Sequence, residues 1–362
     1  MSSRSRITPL LAALVALTVS GLAAQQPTAA PTTAATAATR DTSYIDSDGT
    51  AHITRVIPIP DDLSPEAHKA VARPGADQGP PEPLATRRAN QDAGQVRGRA
   101  AWSALCPNKI EETTIAGVPV HIITPDSLSP ANADKVLINL HGGSFNADSG
   151  SYAESIPIAG YTGMKVVAVL YRLAPEHIFP AAVDDAIAVY RELLKTHKPS
   201  QIVIYGTSAG ATLTAETAVR IKQLGLPEPA ALGIFSTLDS FARMGDSYSI
   251  YTLSGLRGHL EPADSSVHDP WYVGTANPKD PVLSPIYADL HGMPPTLFVT
   301  ATRDALLSST VNLHRAYLLA GVDAHLVVYD ALWHAFWYQS SLPEAVEANH
   351  IMAAFFVKQL SK

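Results

Sequence analysis

Short apolar runs rich in β-branched residues alternate along this chain with longer segments of helical periodicity. The runs are Val136 to Leu140, Val166 to Leu170, Ile202 to Tyr205, Leu297 to Thr300 and Leu326 to Tyr329. Between and after them the pattern predicts helices over Ala181 to Thr196, Ala209 to Leu224, Ser309 to Ala320 and Pro343 to Gln359, with Gly225 and Gly321 as stop signals. Ahead of the series, Glu111 to Ile115 and Val118 to Thr124 flank Ala116-Gly117 and read as an antiparallel hairpin. The alternation predicts an α/β fold, a largely parallel central sheet covered by helices on both faces. In such sheets, binding and reaction sites gather at the carboxyl ends of the strands.

The first 105 residues lack this pattern. Arg4 and Arg6 precede an apolar run from Ile7 to Val19, and Gly21-Leu22-Ala23-Ala24 offers a small-residue cleavage site. Residues 1–24 are therefore read as a secretory signal peptide, its apolar run shorter than the ~20 residues of a spanning helix. Export to the periplasm or beyond is expected, with no stable membrane span after signal removal. Residues 25–45, mostly Ala, Thr, Pro and Gln, have too little apolar surface to offset ordering entropy and are read as a tether. Residues 46–105 are expected to be a loosely organised cap segment. Ser64, Pro65 and Glu66 start a short helix in it, and a Pro-, Gly- and Arg-rich stretch from Arg73 to Arg99 interrupts that helix. The main domain is then 106–362, with a polar, aromatic cap insertion at about 240–280 that lacks a sheet period.

Composition narrows the chemistry. At 362 residues, 46% hydrophobic and with a net charge of −7, the chain can bury a large core and gives no sign of a nucleic-acid partner. The single cysteine, Cys106, forms neither an internal disulfide nor a cysteine zinc site alone. The motifs H-E-x-x-H, G-x-x-x-x-G-K-[ST] and G-x-G-x-x-G do not occur, and no metal or cofactor is expected.

Two motifs sit at strand ends. Gln201 to Tyr205 runs into Gly206-Thr207-Ser208-Ala209-Gly210 and then into a helix, the context of a nucleophile elbow in which Ser208 stands clear for a base to reach. His141-Gly142-Gly143-Ser144-Phe145 follows Val136 to Leu140, and consecutive glycines there let backbone N–H groups turn toward a cavity. Gly142, Gly143 and Ser144, with Ala209 beyond the elbow, are the candidate oxyanion donors.

At these residues the chain resembles the hormone-sensitive-lipase-like branch of the α/β-hydrolase superfamily, the bacterial carboxylesterases with a His-Gly-Gly motif, and within it the Gly-Thr-Ser-Ala-Gly subgroup. The resemblance spans about residues 105 to 360. It includes Tyr171-Arg172-Leu173-Ala174-Pro175-Glu176-His177, Phe179-Pro180-Ala181-Ala182 with Asp184-Asp185, and Ser284-Pro285-Ile286-Tyr287-Ala288-Asp289-Leu290. Two departures stand out. Ser144 replaces a usual third glycine, and Phe235-Ser236-Thr237-Leu238-Asp239 lacks a common proline. The resemblance implies a serine carboxylic-ester hydrolase without cofactor, acting on small to medium acyl esters, or alternatively a lactone hydrolase with the same residues. A non-catalytic small-molecule receptor on the same fold is the reading from another class.

A serine hydroxyl needs a base, and the base needs a partner to fix its tautomer. In the order serine, acid, histidine, Asp304 follows Leu297 to Thr300 and His334 follows Leu326 to Tyr329. Asp239 and Asp280 are alternatives for the acid, and His291 for the base, although His291 precedes its strand. Arg172, Glu176 and Asp185 are read as ionic anchors. Phe145 and Trp333, with residues of the insertion, are expected to line an apolar pocket.

Overall fold

A computed structural model describes residues 43–73, 82–257 and 270–362. The expected signal peptide, nearly all of the tether and part of the insertion lie outside the described residues. The chain divides into two compact units, Met1–Pro58 and Ile59–Lys362. In the first, β1 (Tyr44–Ile45) pairs antiparallel with β2 (Ala51–His52), and the Tyr44 and His52 rings stack with centroids 4.4 Å apart.

The second unit begins with α1 (Pro65–Val71), whose N-cap Ser64 accepts from Ala67 N as the sequence predicts. It continues with α2 (Leu84–Leu105), β3 (Asn108–Ile115), β4 (Val118–Pro125), β5 (Val136–Leu140), α3 (Ser151–Thr162), β6 (Lys165–Val169), α4 (Ala181–Leu193), β7 (Ile202–Thr207) and α5 (Ala209–Gln223). Then follow β8 (Ala231–Phe235), α6 (Asp246–Ile250), α7 (Pro270–Val273), β9 (Thr296–Ala301), α8 (Leu307–Leu319), β10 (Ala324–Tyr329) and α9 (Pro343–Gln359).

Eight strands form one sheet in the order β10-β9-β8-β7-β5-β6-β4-β3. The strands from β10 to β6 run parallel, and β4 and β3 complete the sheet antiparallel. The predicted hairpin is β3–β4, and its turn places Ala116 and Gly117 at φ 52° and 83°, the two positive values that a two-residue hairpin turn requires. Alternate residues of the central strands feed two cores. Ile138, Ile204, Leu232, Ile234 and Phe298 pack with residues of α4, α5 and α8 on one face, while Leu137, Val203, Tyr205, Leu297 and Val299 pack with residues of α2, α3 and α9 on the other. Burial on both faces explains why these strands read as continuous apolar runs.

Three elements differ from the expectation. α2 is a continuous helix of 22 residues through much of the stretch read as helix-breaking. Arginine, alanine and glutamine favour helix, and an interior glycine costs only about 1 kcal/mol relative to alanine. α3 has no amphipathic stripe because it is buried almost all round, between α2, α9 and the sheet. β8 carries Gly233 at its centre, where an added Cβ would lie 2.6 Å from Phe356 and 2.7 Å from Tyr205, so packing selects the residue that weakens the strand signal.

The core includes Glu216, fully buried on α5. Tyr272 OH donates to its Oε2 at 2.6 Å, and Oε1 has no partner among the described residues. Burial pushes its pKa well above the ordinary value. The unfolded carboxyl therefore loses its proton first, and this group's contribution to stability, complete below the unfolded pKa, is lost as pH rises toward the folded one. Glu216→Gln imitates the neutral acid. The variant is expected to show a shallower fall in Tm than the parent protein between about pH 5 and about pH 8, measured by circular dichroism. An equally steep fall would contradict burial as the cause.

Candidate active site

The carboxyl ends of β7, β8, β9 and β10, consecutive in the sheet, each present one polar residue of the site: Ser208, Ser236, Asp304 and His334. Ser208 sits between β7 and α5 at φ 60° and ψ −123°, a conformation that L residues rarely adopt outside functional turns. Its backbone N–H donates to Phe235 O at 2.9 Å, which ties the turn to the end of β8. A Cβ at Gly206 or Gly210 would lie 2.2 Å or 1.8 Å from Leu140 O, so the two flanking positions admit no side chain.

Asp304 is fully buried, and its Oδ1 lies 3.0 Å from His334 Nδ1. It also accepts from Leu306 N at 2.8 Å, Thr300 Oγ1 at 3.2 Å and Ser236 Oγ. Burial alone would raise its pKa. The electrostatic pull of the facing His334 ring and the hydrogen bonds from His334, Ser236 and Leu306 together outweigh burial, and the carboxyl is held below its ordinary value. His334 Nδ1 is also 2.9 Å from Ser236 Oγ. With Nδ1 engaged twice, Nε2 is the ring nitrogen left to serve as a base. Ser208 Oγ itself has no hydrogen-bond partner among the described residues, so the structure joins Asp304 to His334 directly and places Ser208 two strand ends away, beyond Ser236.

The alternatives have other engagements. Asp239 pairs with Arg243 at 2.6 Å, Asp280 accepts the turn N–H of Val282 at 2.8 Å, and exposed His291 pairs with Asp289 at 2.8 Å. Arg172 and Asp185 form the expected anchor at 2.8 Å, while Glu176 is held by Arg88 at 2.7 Å.

In the loop after β5, Gly142 departs from its expected role. Its N–H donates at 2.9 Å to Glu154 Oε1, a buried carboxylate on α3, and so faces away from any substrate. The N–H groups of Gly143 and Ser144 donate to no protein acceptor among the described residues, and Ala209 N–H belongs to the open first turn of α5. Ser144 and Phe145 take φ 54° and 60°, held by Asn146 N and Ala147 N on Gly143 O at 3.1 Å. The Ser144 hydroxyl accepts from Arg87 of α2 at 3.0 Å. Phe145 is 2% exposed and stacks on Tyr272 at 3.5 Å, and Trp333 is 8% exposed with the Arg257 guanidinium 5.2 Å from its ring centre. Both rings are thus largely covered by partners rather than open pocket walls.

Sequence reasoning missed Ser236 and the reach of α2. Ser236 stands in the segment noted for its missing proline, and its φ of 58° marks the same strain as Ser208, but neither is visible in a single sequence. On α2, Arg88 donates to Asn146 O at 2.7 Å and Ala174 O at 2.9 Å, Gln95 donates to Asp148, and Trp102 Nε1 donates to Tyr338 O at 3.0 Å. The helix therefore braces both the glycine loop and the segment after His334.

With this geometry in view, a family model described as alpha/beta hydrolase fold matches residues 137–338. An acetyl-hydrolase of Streptomyces hygroscopicus is 32% identical over 243 residues, 66% of this chain and 81% of that protein. An esterase of Acinetobacter venetianus is 30% identical over 229 residues, 62% and 75% of the two chains. The crystal structure of an esterase aligns at 29% identity with a TM-score of 0.76, covering 86% of this chain and 99% of the other. That of an esterase from the bacterial hormone-sensitive lipase family aligns at 29% identity and TM-score 0.69, covering 82% and 99%. The chain belongs to the α/β-hydrolase fold family. Within it, the protein is a carboxylic-ester hydrolase whose structural neighbours are bacterial esterases of the hormone-sensitive lipase family.

Trp102 is fully buried, so Trp102→Ala leaves a cavity beneath the segment after His334. A loss of about 3–5 kcal/mol in unfolding free energy by urea titration is expected. A loss close to zero would reduce α2 to a passive extension.

Proposed function

We propose that the protein hydrolyses small to medium acyl esters through a covalent acyl-enzyme on Ser208. The observation that carries this reading is the buried Asp304–His334 hydrogen bond at the sheet end that also bears the strained Ser208 turn. Ser208 Oγ attacks the ester carbonyl as His334 Nε2 takes its proton, and Asp304 holds the ring and stabilises the imidazolium. The N–H groups of Gly143, Ser144 and Ala209 receive the oxyanion, aided by the positive end of α5. The imidazolium then protonates the departing alcohol, and water activated by the same histidine releases the acid. The names of the two relatives, acetyl-hydrolase and esterase, support short acyl groups such as acetate. Export belongs to the same proposal and rests on Arg4, Arg6 and the apolar run before Ala24.

Incubation with a fluorophosphonate followed by mass mapping is expected to label Ser208, with no label in Ser208→Ala. Asp304→Asn is expected to lower kcat by up to ~10⁴, since the amide favours the wrong imidazole tautomer. Asp239→Asn is expected to act through stability alone. An unlabelled wild-type protein would point to a receptor, and full activity in folded Asp304→Asn would remove Asp304 from the mechanism. N-terminal sequencing of protein recovered outside the cytoplasm is expected to begin at Gln25; a retained Met1 would count against cleavage there.

A further inference from the structure

Glu154 takes no part in the proton transfers above, yet it lies at the junction of both loops that build the site. It is fully buried on α3, and no lysine or arginine among the described residues pairs with it. Its Oε1 accepts from Gly142 N at 2.9 Å and from Tyr338 OH at 2.5 Å, and its Oε2 accepts from Asn139 Nδ2 at 2.8 Å. Gly142 opens the glycine loop, Tyr338 follows His334 by four residues, and Asn139 lies near the end of β5.

Two glycines are shaped around this carboxylate. A Cβ at Gly150 would lie 1.9 Å from Glu154 Oε1, and one at Gly142 would lie 2.9 Å from Tyr338 OH. Asp148 accepts from Gly150 N at 3.1 Å and Ser151 N at 2.9 Å, which fixes the start of the helix that delivers Glu154. With its N–H captured from behind, the Gly142 peptide is turned so that the next two N–H groups are released. Those belong to Gly143 and Ser144.

We propose that Glu154 is a positioning residue for the oxyanion site: by holding Gly142 N–H and Tyr338 OH on one oxygen, it sets the glycine loop and the histidine loop in register with each other. The proposal rests on the acyl-enzyme reading given above. It requires an acceptor at Oε1, not a charge. Burial pushes the carboxyl up to about 7 against the pull of Tyr338, Gly142 and Asn139, to which the nearby His141 ring adds. Both protonation states preserve the grip. A proton on Oε2 is accepted once the Asn139 amide turns over, presenting Oδ1, which is otherwise buried without a partner among the described residues. Oε1 continues to accept from Gly142 and Tyr338 in either state.

Glutamine reproduces the neutral form, so Glu154→Gln separates acceptor from charge. Glu154→Ala is expected to lower kcat by about 10²-fold with KM little changed, the loss typical of a displaced oxyanion donor. Its affinity for a trifluoromethyl ketone, which adds reversibly to the serine and needs the same N–H groups, is expected to fall by a similar factor. Glu154→Gln is expected to retain kcat and ketone affinity within a few-fold. If Glu154→Ala does not fold, Tyr338→Phe is read the same way, with kcat and ketone affinity falling together by a smaller factor.

Alanine or phenylalanine variants that lose stability but keep kcat and ketone affinity would overturn the proposal. A glutamine variant as impaired as alanine would overturn it equally, because charge would then be required. Fluorophosphonate labelling of the wild-type protein is scored separately. Its failure would remove the acyl-enzyme reading, whereas labelling with unchanged ketone affinity in the variants would remove only the role of Glu154.

Discussion

The carbonyl of Leu140 and the turn around Ser208 approach each other so closely that only glycine fits at positions 206 and 210. This contact joins the site. Leu140 ends β5 opposite Gly206 in the parallel register, so the residues that follow it, His141 to Phe145, emerge beside the residues that follow Gly206. One close approach of backbone to backbone thereby sets Ser208 beside the loop that carries Gly143 and Ser144, without any side chain spanning the distance. The strain at Ser208, Ser144 and Phe145 lies in the turns that this approach joins, and Ser236 shares it at the end of neighbouring β8, while the strands beneath them remain regular.

Around the contact the molecule handles buried acid in three different ways. Asp304 faces a histidine and three further donors, which hold it below its ordinary pKa in spite of burial. Glu154 has donors but no lysine or arginine partner among the described residues, and burial raises it to about 7. Glu216 has one tyrosine donor, and burial raises it well above its ordinary value. Identical functional groups are thus held low, raised to about 7 or raised well above the ordinary value according to how far neighbouring charge and hydrogen bonds offset desolvation.

The strands, the strand-to-helix turn at Ser208 and the glycine loop were legible because each is encoded locally: a continuous apolar run, or glycines where the backbone allows nothing else. The order of Asp304 and His334 was legible as loops after successive strands. Ser236 and Glu154 were not, since a serine after a strand and a glutamate on a helix acquire meaning only from residues 68 and 12 positions away, Asp304 and Gly142. The helix carrying Glu154 was itself hidden, because uniform burial erases the periodicity by which helices are recognised. α2 was hidden for the opposite reason: its buried residues are few, Gln95 and Trp102, too sparse to mark an apolar stripe.

The bracing of the site by α2 has a consequence for the order in which the protein can be assembled. Trp102 meets Tyr338 across 236 residues, and Ser64 meets Glu344 across 280. A chain emerging from its amino end can pack α2 on α3 and the glycine loop early, but Ser64 and Trp102 wait for these two partners until nearly the whole domain has been synthesised. Contacts of such separation form slowly. The bracing of the segment after His334 is consequently among the last contacts to be completed, and its formation reports closure of the entire polypeptide rather than formation of the central sheet.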